Sequence, residues 1–153
     1  SPLRASGLAR SPKSERGKRR GMNPSVIQNQ VVLIQSFGKD NEILTTGYNS
    51  FPRGLDDNVV QRQERPEKYF WFEHAERNAI YNAARIGVSL KQSTVYLTSG
   101  LPCMDCARGL VQSGVIKIVC KEHCTTKNSG KWKESQERSL ILLNECGVEV
   151  EFY

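Results

Sequence analysis

The chain predicts an α/β fold, a sheet with helices laid against it. Two observations carry this. A hairpin of two apolar strands opens the folded part, and from the middle of the chain onward helix-period stretches alternate with short strand-like runs. Helices alternating with strands imply parallel pairing in the later part, with helices covering the sheet. At 153 residues the chain is one domain with room for an ordinary hydrophobic core.

The elements follow in order. Val26–Phe37 contains Val31-Val32-Leu33-Ile34, which reads as a buried strand; Lys39-Asp40-Asn41 makes the turn, and Glu42–Tyr48 is the second strand. Asn49–Pro66 is a long polar loop, of the kind that serves as a lid or binding loop. Tyr69-Phe70-Trp71-Phe72 follows; these aromatics could stack on a base, but a core role is expected for at least half of them. Ala75, Ala79, Ile80, Ala83 and Ala84 recur at helical spacing, so a helix is predicted from Glu73 to Ile86, stopped by Gly87. Ser93–Thr98 is a strand. Pro102 starts a second helix to Ser113, its missing N–H costing nothing there. Val115–Cys120 is a strand, Lys121–Lys131 a polar loop, Glu134–Cys146 an amphipathic helix stopped by Gly147, and Val148–Tyr153 the last strand.

Charge is distributed unevenly. Residues 1–21 carry seven Lys/Arg and one acid, so the net charge of +6 lies wholly in this stretch and the remainder is neutral. A basic segment poor in large apolar residues is expected to be a disordered tail, with the domain proper spanning 22–153. The neutral domain argues against a nucleic-acid partner, which requires a basic surface. No apolar run is long enough to cross a membrane. Five cysteines without an export signal argue for metal or free thiols in a reducing compartment, the cytoplasm, rather than a disulfide framework.

Two short motifs carry chemistry. His74-Ala75-Glu76 reads H-x-E, and Pro102-Cys103-Met104-Asp105-Cys106 reads P-C-x-x-C. Alone, a C-x-x-C is more often half of a structural zinc site or a redox pair, and an H-x-E says almost nothing. Together, each at a predicted helix start, they form the pattern of zinc-dependent hydrolytic deaminases. Cys103 and Cys106 share one helix face in a first turn, where free N–H groups and the helix dipole favour thiolate. Two thiolates and one imidazole make three ligands and leave a position for water, the catalytic rather than structural pattern. The metal in such a site lowers the pKa of its water. Glu76, which a structural site does not need, would serve as proton acceptor and donor. His74 and Glu76, two residues apart, act together only if His74 stands at the non-helical edge.

The chain resembles the cytidine/deoxycytidylate deaminase superfamily, most closely its deoxycytidylate branch. The resemblance rests on H-A-E-R-N-A-I at 74–80, L-P-C-M-D-C-A at 101–107, and I-L-T-T-G-Y-N-S-F-P-R-G at 43–54 followed by Asp56-Asp57, and covers about Asn41 to Phe152. It implies a three-layer cytidine-deaminase-like fold, with a mixed five-stranded sheet and helices on both faces. It implies one catalytic Zn²⁺ held by His74, Cys103 and Cys106, with Glu76 moving protons. Asn49 would meet the nucleoside, Ala75 would offer its backbone to the pyrimidine, and Asn78 is a further candidate on the substrate side. The implied substrate is a cytosine nucleotide, dCMP going to dUMP and ammonia, and the implied assembly a homo-oligomer. A monophosphate needs cations: Arg53, close to Asn49, is the first choice, with Arg62, Arg65, Arg77 and Lys133 as alternatives. Family members carry an amphipathic helix before the first strand, where this chain has its basic stretch. The competing function is deamination of a base within nucleic acid, a tRNA adenosine or a single-stranded DNA cytosine.

Cys120, His123 and Cys124 form C-x-x-H-C, part of a possible second metal site that lacks a fourth ligand. The plainer expectation for Cys120 and Cys146 is a buried small apolar group.

Overall fold

The computed structural model describes residues 28–36, 41–122 and 131–153. The basic stretch, the hairpin turn at 37–40, and His123 and Cys124 lie outside the described residues.

Five strands form one mixed sheet in the order β2-β1-β3-β4-β5. β1 (Gln28–Ser36) pairs antiparallel with β2 (Ile43–Asn49) and with β3 (Ser93–Leu97). β4 (Val115–Cys120) runs parallel to β3, and β5 (Glu149–Phe152) parallel to β4. The helices are α1 (Lys68–Trp71), α2 (Ala75–Ile86), α3 (Met104–Gln112) and α4 (Lys131–Glu145). The predicted strands and three long helices are all present, with ends shifted by a residue or a few.

Alternation along the strands separates the two sheet faces. Val32 and Ile34 of β1, Val95 and Leu97 of β3, and Ile118 and Cys120 of β4 are buried in one core, with Ala75, Ala79 and Ala83 of α2, Ala107 and Leu110 of α3, and Leu143 of α4. The steps β3 to β4 and β4 to β5 go the same way across the sheet, so right-handed crossovers put α3 and α4 on the same side. Among the described residues α2, α3 and α4 all pack on this face. The other face carries Val31 and Tyr96, 46% and 41% exposed, and Lys117 between Glu149 and Glu151.

α2 lies unusually close to β2. A Cβ on Gly47 would stand 2.2 Å from the Ala75 oxygen and 2.4 Å from the Ala79 nitrogen, closer than real atoms approach. Alanines on the facing side of α2 and glycine on the strand permit this approach. The Thr45 hydroxyl completes it by donating to the Ala79 carbonyl at 2.9 Å.

The segment between β2 and α2 has more structure than the expected loop. Ser50 and Glu73 exchange two backbone hydrogen bonds, closing its ends together. Inside it are a 3-10 turn at Val60–Arg62 and the single turn of α1. The aromatic run does not enter the core: none of its residues is buried, and Phe70 is 81% exposed. These rings instead meet cations, Arg62 over Trp71 at 4.2 Å and Lys68 over Phe72 at 4.7 Å. Only Phe72 reaches inward, edge-on to the buried Phe51 at 5.2 Å. Cys146, expected to be buried, is exposed at the end of α4, whereas Cys120 is fully buried and burial pushes its thiol up to about 11.

Candidate active site

Each of the two motifs starts a helix, and the two starts meet. His74 occupies the N-cap position of α2 in extended conformation, as the H-x-E spacing requires. Cys103 holds the same position on α3, and Cys106 lies in its first turn. His74 Nδ1 is 3.5 Å from Cys103 Sγ and 3.4 Å from Cys106 Sγ.

These distances test the fit to a metal. Zinc bonded at about 2.3 Å to sulfur and about 2.0 Å to nitrogen in a tetrahedron sets N···S edges of about 3.5 Å. The three donor atoms all lie within 4.8 Å of one another, so they form one face of such a tetrahedron. The donor set is two soft thiols and an imidazole, which zinc prefers. Among the described residues this is the one group of three or more His, Cys, Asp or Glu side chains able to hold a metal ion.

The thiols share their protons unequally. A hydrogen bond from Cys106, opposed by burial and aided by His74, holds the Cys103 thiol down at about 4. That same bond, together with burial, pushes the Cys106 thiol up. The contact with Cys103 raises His74 above its ordinary value. Glu76 is 2% exposed, and burial raises its carboxyl above the usual range. A carboxyl so raised accepts a proton and keeps it long enough to pass it on.

The expected substrate-side residues fall into two groups. Asn49 and Ala75 are brought together: the Ala75 N–H donates to Asn49 Oδ1 at 2.8 Å, and Asn49 is buried. The backbone donor of Ala75 therefore already has a protein acceptor. Asn78 uses its amide on the Tyr48 carbonyl at 2.8 Å and Ser50 Oγ at 3.2 Å, bracing α2 against the end of β2. Arg53 turns toward the far half of α2 and donates to Asn82 Oδ1 at 2.5 Å. Among the alternative cations, Arg62 lies over Trp71, Arg65 over Tyr69 at 5.7 Å, Arg77 is held by Glu73 at 2.5 Å, and Lys133 is exposed on α4.

Two contributors had no mark in the motifs. Ser135 of α4 accepts the Met104 N–H at 3.0 Å, so it caps the helix that carries the cysteines. Glu73 accepts the His74 N–H at 3.1 Å and binds Arg77. The Glu73–Arg77 spacing of four residues is a legible helix-pair signal; nothing local marks Ser135.

Residues 22–122 match the family model described as the cytidine and deoxycytidylate deaminase zinc-binding region. The deoxycytidylate deaminase of Enterobacteria phage T4 is 42% identical, in an alignment covering 73% of this chain and 74% of that one. An uncharacterized deaminase in the luxG 3' region of Aliivibrio fischeri is 35% identical over 73% of this chain and 72% of its own length. The human deoxycytidylate deaminase is 30% identical over 71% of this chain and 60% of that protein. The dCMP deaminase of cyanophage S-TIM5, solved in complex with dCMP and dUMP, superposes with a TM-score of 0.59 at 26% identity, covering 81% and 80% of the two chains. With an H-x-E and a P-C-x-x-C motif folded into one His-Cys-Cys group on this sheet, the chain belongs to the cytidine and deoxycytidylate deaminase family, and its His74, Cys103 and Cys106 form a group able to bind one zinc ion.

Proposed function

We propose that the protein hydrolyses the 4-amino group of a cytosine nucleotide, converting dCMP and water to dUMP and ammonia. The observation that carries this is the buried Glu76 beside three donors at zinc spacing, in a chain 42% identical to a phage deoxycytidylate deaminase. His74, Cys103 and Cys106 hold the zinc. When bound, it acts as a Lewis acid that makes water a nucleophile near neutral pH. Glu76 takes the proton of the attacking water, gives it to the ring nitrogen, and delivers the next to the departing amine. Its raised proton affinity, caused by burial, suits both directions of transfer. Asn49 holds the first turn of α2 in place beside the substrate. Arg53 meets the phosphate only by leaving Asn82, an exposed contact that costs little to break. Asn78 acts as a brace, supported by its bonds to Tyr48 and Ser50.

The catalytic unit on this reading is 22–153, supported by a family match that begins at residue 22. Assembly into a homo-oligomer is supported by large apolar side chains left at the surface, Phe70 at 81% and Ile86 at 69% exposure. A cytoplasmic setting is supported by two thiolate ligands, Cys103 and Cys106, and by the free thiols of Cys120 and Cys146. Among the described residues no helix is long and apolar enough to cross a membrane.

Ammonia release from dCMP, dCTP, deoxycytidine, CMP and a single-stranded oligonucleotide tests the substrate. dCMP should be turned over fastest; turnover of the oligonucleotide without dCMP would overturn the proposal. Glu76→Gln should keep zinc and lose turnover by about two to four orders of magnitude. Light scattering on the purified protein tests the oligomer, a monomer at micromolar concentration counting against it.

A further inference from the structure

A line of charged groups joins the two ligand-bearing helices. It begins at the His74 N–H, which donates to Glu73 Oε1. Arg77 Nε donates to the same oxygen at 2.5 Å, and its Nη1 lies 3.7 Å from Asp105 Oδ2 on α3. Arg108 binds the other Asp105 oxygen. Asp105 stands between Cys103 and Cys106 in sequence, so the line runs from the backbone of one donor to the turn that carries the other two. Ile80 of α2 lies over Gly109 of α3 further from the donors, leaving the polar line at the donor end. Arg77 and Glu73 are each only about a quarter exposed, at 24% and 23%, whereas Asp105 is 64% exposed.

We propose that Arg77 is a positioning residue for the metal centre: through Glu73 and Asp105 it straps the helix of His74 to the helix of Cys103 and Cys106, and so sets the spacing of the three donors. The fork geometry of arginine suits this, because one guanidinium reaches two carboxylates, Glu73 just ahead of α2 and Asp105 on α3, where an ammonium serves one point. An ion pair with an exposed partner adds little to global stability. Its value lies at the donors: partners just behind metal ligands typically change affinity ten- to a hundredfold. The proposal rests on zinc binding by His74, Cys103 and Cys106.

The test compares zinc affinity, by competition with a chromogenic chelator, in the full chain and in Arg77→Ala, Arg77→Lys, Asp105→Asn and the Arg77→Ala/Asp105→Asn double variant, with apo melting temperatures alongside. Arg77→Ala should weaken zinc binding about tenfold or more, with Arg77→Lys in between and Asp105→Asn smaller. The double variant should be no weaker than Arg77→Ala, since both remove one strap. Apo melting temperatures should stay close to that of the unmodified chain. An Arg77→Ala affinity within about twofold of the parent, losses that multiply in the double variant, or an apo melting temperature of Arg77→Ala clearly below that of the unmodified chain would overturn the strap. A parent chain that takes up no zinc would instead remove the metal reading beneath it.

Discussion

At the start of α2 the residue in the capping position is His74, and at the start of α3 it is Cys103; neither side chain caps its own helix. The first N–H groups of a helix need acceptors, and a side chain committed to a metal cannot supply one. Both helices therefore take their caps from distant parts of the chain. Asn49 Oδ1, at the end of β2, accepts from Ala75, and Ser135 Oγ, on α4, accepts from Met104. The two arrangements differ in their support. Asn49 is buried, and α2 is pressed onto β2 through Gly47 and Thr45. Ser135 is only half-buried and sits on another helix. The histidine side of the site is built into the sheet, while the cysteine side leans on a neighbouring helix. A position used for chemistry loses its local means of ending a helix, and the fold supplies that means from elsewhere.

The largest effect should come from removing a donor. Cys106→Ala takes away the buried thiol in the first turn of α3, and one zinc per chain should fall to none on metal analysis. Gly47→Ala is expected to come next, because an added Cβ overlaps the Ala75 and Ala79 backbone and α2 must move. It should cost about 1–3 kcal/mol in denaturant unfolding, and turnover should fall with it. If it left both unchanged, the tight seat of α2 would not matter. Asn49→Ala should cost about 1–2 kcal/mol and Ser135→Ala about 0.5–1 kcal/mol, the buried cap exceeding the half-exposed one. Equal losses would mean that the two helix starts are held alike. Because Asn49 Oδ1 serves the fold, its variants should lose stability even without substrate, which separates a cap from a pure substrate contact.

The smallest effect is a proton count. Cys106 holds its proton above the ordinary thiol range and His74 above the ordinary imidazole range. Zinc needs thiolate and neutral imidazole, so loading the apo protein at pH 7 should release at least about one proton per site, and affinity should weaken as pH falls. Indicator dye in weak buffer reads this directly; uptake without release would point to other ligands.

Much of this was legible beforehand. The strands and long helices follow from periodicity, and the metal group follows from two motifs whose donors sit within a few residues of helix starts. The aromatic run reads as core in the sequence because apolar content alone does not distinguish a core segment from one whose rings lie under Arg62, Arg65 and Lys68. Arg53 is near Asn49 in sequence, yet its side chain turns to Asn82. Asn78 is expected on the substrate side, and its amide reaches back to β2.

By itself the sequence determined which segments are helix and strand, that three donors and a carboxylate gather at helix starts, and that the reaction class is hydrolytic deamination. These are properties of short stretches, governed by local backbone preference and by residue spacing. Only the tertiary structure decided the sheet order, the face on which the helices lie, the caps from Asn49 and Ser135, and the line from Glu73 through Arg77 to Asp105. Those contacts join residues far apart in the chain, and they form only where burial of the shared core brings the elements together.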